Sequence, residues 1–333
     1  MISAEQVSTL LLRHWDVIGD GRPQPSGFSY VLVTKGSEPG SKLVFLAFPA
    51  GESAPRIAVK LPRSKSSNAN VQMEYRNLKT VVPFGRHGRI VTPIPLVCGT
   101  ENGWVWLAES VVDGIELGRD ALSAPELAVN PVVDWLIHLG LSTPGLPSPS
   151  PDAEDLPELL KRADQYVTIE EERRVLDRAV EPLYLLDSQA LPRVFEQRDM
   201  GPWNLLLASD GTIGVVDWES SRTGGFPAWD LFYFLAHCGF MIDRPTEPKE
   251  RVKSFENTFW GRSGFANTAH TALRRYIRGM GLREDWLGPL SAACWLHHTL
   301  SEVTRLGIRP SQSVFWHMLS ATLDRDCRLR CTA

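Results

Sequence analysis

The chain has no apolar run approaching the ~20 residues that a membrane-spanning helix needs, and its start, Met1-Ile2-Ser3-Ala4-Glu5-Gln6, lacks the basic opening of a secretion signal. A soluble, cytoplasmic protein with no membrane partner is therefore expected. Cysteine is scarce. Cys98, Cys238, Cys294, Cys327 and Cys331 are odd in number and scattered, without a Cys-x-x-Cys pair, so neither a disulfide framework nor a zinc site is indicated. An excess of basic charge is also missing: a net charge of -4 and a pI near 6.1 leave no footprint for nucleic acid. The histidines form no metal-binding pattern, and the adjacent His297 and His298 point to different faces of a helix. No convincing Gly-x-Gly-x-x-Gly loop is found.

What the chain does carry is concentrated between residues 197 and 219. Gln197-Arg198-Asp199-Met200-Gly201-Pro202-Trp203-Asn204 is followed by two apolar runs joined at Asp210-Gly211, the second ending in Val215-Val216-Asp217-Trp218-Glu219. Asp-Gly between such runs predicts a hairpin with a two-residue turn. Counting outward pairs Ser209 with Thr212, Leu207 with Gly214, Leu205 with Val216, and Asn204 with Asp217. Opposed residues on one face have Cβ atoms about 4.5–5.5 Å apart, so the Asn204 amide and the Asp217 carboxylate are expected to share one small hard cation. Magnesium prefers oxygen ligands and commonly takes only one or two from protein. A slip of one residue would undo this pairing. Asp199, five residues before Asn204, can reach the same space from a loop and is the candidate base. Glu219, next to this constellation, either faces the metal or acceptor or is an exposed strand-end acid, the commoner case. Each residue alone is an ordinary turn or edge residue; together they have the spacing needed to orient a hydroxyl and hold magnesium against phosphates.

With Phe226-Pro227-Ala228-Trp229-Asp230-Leu231 following in order, the chain resembles the aminoglycoside phosphotransferase and choline kinase superfamily, the small-molecule branch of the protein-kinase-like fold. The resemblance implies an α+β, two-lobed fold. A small antiparallel-sheet lobe would cover residues 1–112, with a hinge at about 109–114. A larger, mainly helical lobe over 115–333 would hold the catalytic loop 197–204, the metal-binding segment 215–219 and the acceptor-site helices. It further implies that Asp199 is catalytic, that Asn204 and Asp217 bind magnesium, and that Asp230 braces the catalytic loop. The family's His-Gly-Asp is Gln197-Arg198-Asp199 here, and glutamine can still donate and accept hydrogen bonds as a brace.

The rest of the chain fits that expectation. Phe28–Thr34, Lys42–Phe48 and Arg56–Leu61 are strand-like runs between turn residues. The third contains Ala58-Val59-Lys60-Leu61, similar to the kinase strand that presents a lysine to the nucleotide. Val71, Glu74, Tyr75 and Leu78 lie on one helical face. A carboxylate on such a stripe is rarely left unpaired, and the resemblance supplies Lys60 as its partner. Residues 35–41 stand where a phosphate-covering loop would lie, although an ordinary hairpin loop would look the same. Gly103–Val112 reads as a strand running into a connector; by resemblance Glu109 to Val112 contact the purine, with Glu109 and Val111 as candidates.

ATP is the default donor, GTP stays open, and the acceptor is a hydroxyl of a small molecule: an aminoglycoside, a sugar-containing metabolite, a nucleoside or an amino alcohol. Two other readings stand. A nucleotide-binding pseudokinase is suggested by Gln197 and the poor glycine loop. A protein Ser/Thr kinase is opposed by the short interval between Asp217 and Pro227. Elsewhere Ser3–Gln6 and Thr168–Glu171 fit the capping-box pattern, Leu156, Leu159, Leu160 and Ala163 form a helical stripe, and residues 251–330 read as several helices whose tryptophans are mostly core. Nothing in the sequence specifies an oligomeric state.

Overall fold

The computed structural model describes residues 2–34, 41–143, 155–187, 189–262 and 264–325. By contacts the chain divides into two units, Met1–Glu116 with Asn204–Ser221, and Leu117–Trp203 with Arg222–Ala333.

The first unit is built on an antiparallel sheet of β1 (Phe28–Thr34), β2 (Lys42–Pro49), β3 (Ile57–Pro62), β6 (Trp104–Ser110) and β5 (Pro95–Glu101), in the order β1-β2-β3-β6-β5. Strict alternation in β2 buries Leu43, Phe45 and Ala47 on one face. There they join Val59, Leu61, Trp106 and Ala108 of the neighbouring strands in a core capped by α1 (Ala4–Arg13) and α2 (Trp15–Ile18), through Val7, Leu10, Leu11 and Trp15. The Ser3 capping box is present at the start of α1. The opposite sheet face takes the helix α3 (Asn68–Val81), whose Val71, Glu74, Asn77, Leu78 and Val81 are buried.

A second sheet in this unit has the order β4-β10-β9-β7, from β4 (Ile90–Val91), β7 (Ile115–Glu116), β9 (Leu205–Leu207) and β10 (Ile213–Val215). These pairings draw 204–221 into the first unit, whereas the sequence reading assigned it to the carboxy-terminal lobe.

The second unit is mainly helical: α4 (Pro125–Ser142), α5 (Leu156–Asp164), α6 (Glu170–Asp187), α7 (Trp229–Asp243), α8 (Pro248–Trp260), α9 (Phe265–Met280), α10 (Leu287–Leu306) and α11 (Val314–Leu323), with a two-stranded sheet of β8 (Val194–Glu196) and β11 (Arg222–Gly225). α4 packs on α9, α7 on α8, and α10 on α11. Trp135, Phe232, Phe255, Phe259 and Trp295 are fully buried there. The expected capping box at Thr168 takes a different form. The carboxylate that accepts the Thr168 N–H is Glu172, at 3.2 Å, and Glu172 also accepts the Ser311 hydroxyl at 2.6 Å. A buried acid tying two elements together takes the place of a local cap. Among the described residues no helix is long and apolar enough to cross a membrane.

Candidate active site

Strand alternation decides which side chains of the first unit meet. Val44 pairs with Lys60 across β2 and β3, and Lys42 lies two residues before Val44. Lys42 and Lys60 therefore emerge on the same face, away from the α1 core and toward α3. Glu109 lies two residues beyond Leu107, the partner of Lys60 in β6, and shares that face.

Glu74 of α3 stands between the two lysines. Its Oε1 is 2.5 Å from Lys60 Nζ and its Oε2 is 2.6 Å from Lys42 Nζ. Lys60 also contacts Glu109 at 2.7 Å. Lys42 contacts Asp217 Oδ1 at 2.7 Å and Glu219 Oε2 at 3.1 Å. Burial alone would push the Glu74 carboxyl up, but Lys42 and Lys60 outweigh it and hold it down to about 2. Both lysines are pushed up because flanking carboxylates overcome the cost of burial: Asp217, Glu74 and Glu219 around Lys42, Glu109 and Glu74 around Lys60. Glu109 behaves oppositely. Burial pushes it up to about 7 against the pull of Lys60, and its Oε2 is buried without a hydrogen-bond partner.

The segment after β10 is hooked to α3 as well. The Trp218 N–H donates to Glu74 Oε1 at 3.2 Å, and Asn77 Nδ2 donates to the carbonyls of Trp218 and Ser221, each at 2.8 Å. Asp217 has φ +63°, a left-handed conformation that costs a non-glycine residue energy and that surrounding contacts must hold.

The hairpin leading to Asp217 departs from the expected register by one residue. Leu207 pairs with Ile213, Leu206 with Gly214, and Leu205 with Val215. The Gly211 N–H donates to the Ala208 carbonyl at 3.0 Å, and the Ala208 N–H to the Thr212 carbonyl at 2.8 Å. With Gly211 at φ +82°, this is a three-residue loop, a turn followed by a left-handed residue. Asn204 is consequently opposite Val216, whose N–H donates to its carbonyl at 2.9 Å. The direct Asn204–Asp217 opposition is not formed. Asp217 instead reaches the Lys42 and Glu74 group through its turn conformation.

Three other expected positions fall out differently. Glu109 lies inside β6, paired with Ala58 and Pro95, and its carboxylate serves Lys60. The Val111 N–H donates to the Arg56 carbonyl at 3.1 Å, continuing the ladder. Val111 lines a cleft of about 440 Å³ together with Val82, Ile94 and Thr212. The phosphate-covering loop lies outside the described residues except for Ser41.

In the second unit the loop after β8 is held by Asp230, near the start of α7. Its two carboxylate oxygens accept the N–H groups of Gln197 and Arg198, each at 2.7 Å. Burial, reinforced by the charge of Glu196, pushes Asp230 up to about 7 although these hydrogen bonds pull the other way. Gln197 Oε1 accepts the Asp199 N–H at 2.8 Å, so the glutamine is a loop brace. Arg198 takes φ +70° and its guanidinium contacts His297. Burial pushes the Tyr233 hydroxyl up, and the charge of Asp199 adds to this; Trp203 and His237 pack edge-on and tilted around the Tyr233 ring.

Sequence reasoning missed Lys42 and Tyr233, and gave only second place to Glu219 as a residue facing the metal or acceptor. For Lys42 the signal was available in the period of two along β2, once that strand is paired with β3. Glu219 was read first as an exposed acid, but its side chain is only 26% exposed and ion-paired to Lys42. Ligand atoms of Glu74, Asp217 and Glu219 lie within 4.8 Å of one another. This all-oxygen set suits a hard divalent cation, and a lysine ammonium already stands among its members as a cationic stand-in.

Comparison with curated proteins gives no match. Among solved structures, a thermostable mutant of aminoglycoside phosphotransferase APH(4)-Ia in its apo form has a TM-score of 0.56 at 15% identity, covering 90% of this chain and 96% of that one. A choline/ethanolamine kinase family protein from Mesorhizobium loti gives 0.55 at 17% identity, covering 92% and 90%. The GDP complex of aminoglycoside 2'-phosphotransferase-IIIa gives 0.57 at 13% identity, covering 95% and 98%. These likenesses establish the protein-kinase-like fold. The sequence itself matches the phosphotransferase enzyme family over residues 41–266, more than half its length, and the chain belongs to that family of small-molecule kinases.

Proposed function

We propose that the protein transfers the γ-phosphoryl group of ATP, or of GTP, to a hydroxyl of a small molecule. The observation that carries this reading is the Lys60–Glu74 ion pair, whose carboxylate also receives the N–H after Asp217. In this reading Glu74 fixes Lys60, and Lys60 positions the donor phosphates. Asn204 and Asp217 would hold magnesium, which when bound neutralises phosphate charge. Asp199, kept in place by Gln197 and Asp230, orients the acceptor hydroxyl and takes its proton. Positioning and charge neutralisation supply most of the catalysis in such reactions. Connector residues 112–114, beyond the ladder that engages the Ser110 and Val111 N–H groups, carry the purine contacts. Related structures bind AMP-PNP with hygromycin B, or GDP with kanamycin, which supports a nucleoside triphosphate donor and a small acceptor. The cytoplasm is where such a donor is supplied.

Thermal unfolding with ATP or GTP, with and without magnesium, tests the reading. A ligand at about a hundred times its dissociation constant adds about 2.7 kcal/mol, and the magnesium-dependent part of that shift is expected to vanish in Asp217→Ala. Asp199→Asn is expected to keep the shift and to lose turnover by about a hundredfold or more. No shift at millimolar nucleotide in the wild type would overturn the proposal.

A further inference from the structure

We propose that Lys42 is a resident counter-ion of the magnesium site: its ammonium fills the space among Glu74, Asp217 and Glu219 and keeps out free divalent metal until nucleotide and metal arrive together. The inference deepens the reading above and rests on Asp217 being a metal ligand. Four observations carry it. Lys42 is nearly as buried as Lys60, with a side chain 8% exposed. It contacts all three carboxylates, at 2.6, 2.7 and 3.1 Å. Those carboxylates are close enough together to bind a single ion, so ammonium and metal compete for the same oxygens. Finally, Glu219 Oε2 lies at ion-pair distance from Lys42 but lacks an aligned hydrogen bond, leaving a carboxylate oxygen ready to change partners.

Lys60 cannot play this part, because Glu74 and Glu109 already engage it on its buried face. With Lys60 already pairing Glu74, the single Lys42 charge is left facing Asp217 and Glu219, so it holds the site without neutralising it. A divalent cation accompanied by phosphates satisfies both sides. Asp217 and Glu219 would hold the metal in place of the ammonium while Glu74 Oε1 stays on Lys60, and the displaced ammonium, a point charge on a flexible stem, would pair with the phosphate charge that the nucleotide brings.

Manganese alone is the probe, followed on the full chain by electron paramagnetic resonance of the free ion and by thermal unfolding, for the wild type, Lys42→Met, Lys42→Gln and Lys42→Arg. The wild type and Lys42→Arg are expected to bind manganese weakly. Lys42→Met and Lys42→Gln should bind it roughly tenfold tighter or better, and adding Asp217→Asn should abolish the gain. If either neutral variant folds and binds manganese no tighter than the wild type, the proposal is overturned. Tight manganese binding by the wild type without nucleotide overturns it as well. The magnesium–nucleotide shift of the wild type is scored separately, so a failure of the Lys42 proposal leaves the phosphotransfer reading standing.

Discussion

His237 occupies an unusual position for an ionisable ring. Trp203, Tyr233, Phe240 and Phe315 surround it, and its Nε2 is buried without a hydrogen-bond partner. Burial, with some help from the nearby Arg251 charge, depresses its pKa to about 3. An unfolded histidine titrates near 6.5. Between those values the unfolded chain holds more protons than the folded one. This contribution to stability is therefore complete above pH ~6.5 and is lost progressively as the pH falls toward ~3. With those two values the loss at pH 5 is at most about 2 kcal/mol. His237→Phe keeps the ring and removes the titration. It should raise the melting temperature at pH 8 slightly and at pH 5 clearly, flattening the acid limb of a stability profile measured by calorimetry. Equal gains at both pH values would show that His237 titrates normally. Nothing in the sequence around Ala236-His237-Cys238 announces this environment, since it is assembled from Trp203, α7 and α11, which lie far apart in the chain.

At the scale of elements, the β9–β10 hairpin shows how a correct local signal can still misplace a register. Asp210-Gly211 does make the turn, but as part of a three-residue loop, because Gly211 takes the left-handed position after Asp210 rather than inside a two-residue turn. Both loops use the same residues, and choosing between them depends on packing against β4 and β7, which no local pattern reveals. The β1, β2 and β3 runs were legible because their alternation and turn residues are strong. α3 begins at Asn68, three residues before Val71, the first apolar position of the stripe read from the sequence, because its first turn is polar. Gly114 provides a direct test of the packing around the hairpin. It has φ +130°, and a Cβ there would lie 2.7 Å from the Leu207 carbonyl carbon and 2.9 Å from the Ala208 nitrogen. Gly51, at φ +89°, has open space around it. Gly51→Ala should therefore cost only its backbone strain, about 1 kcal/mol, whereas Gly114→Ala must also displace β9 and should cost clearly more in urea denaturation. Equal losses would mean that β9 yields freely.

At the scale of the whole molecule, the residues with candidate roles were legible from the sequence to the extent that their order along the chain is diagnostic: Lys60, Glu74, Asp199, Asn204, Asp217. The partners that set their electrostatics were not, because Lys42, Glu109 and Glu219 meet Glu74 and Lys60 only through sheet pairing and helix docking. The first unit is also discontinuous, with Asn204–Ser221 returning to it after 87 residues assigned to the second, Leu117–Trp203. On a ribosome this has a temporal consequence. When residue 116 has emerged, the five-stranded sheet and α3 are all present, but β9, β10 and the Asp217 turn have not yet been made. Chains grow at about 5–20 residues per second, so for several seconds Lys42 and Glu74 wait for Asp217 and Glu219. A fragment ending at Glu116 should accordingly be less cooperative and more prone to aggregate than the complete chain, and adding the separate peptide 204–221 should raise its amide-exchange protection around α3. The amino-terminal unit, first to be synthesised, is thus not the first that can be finished.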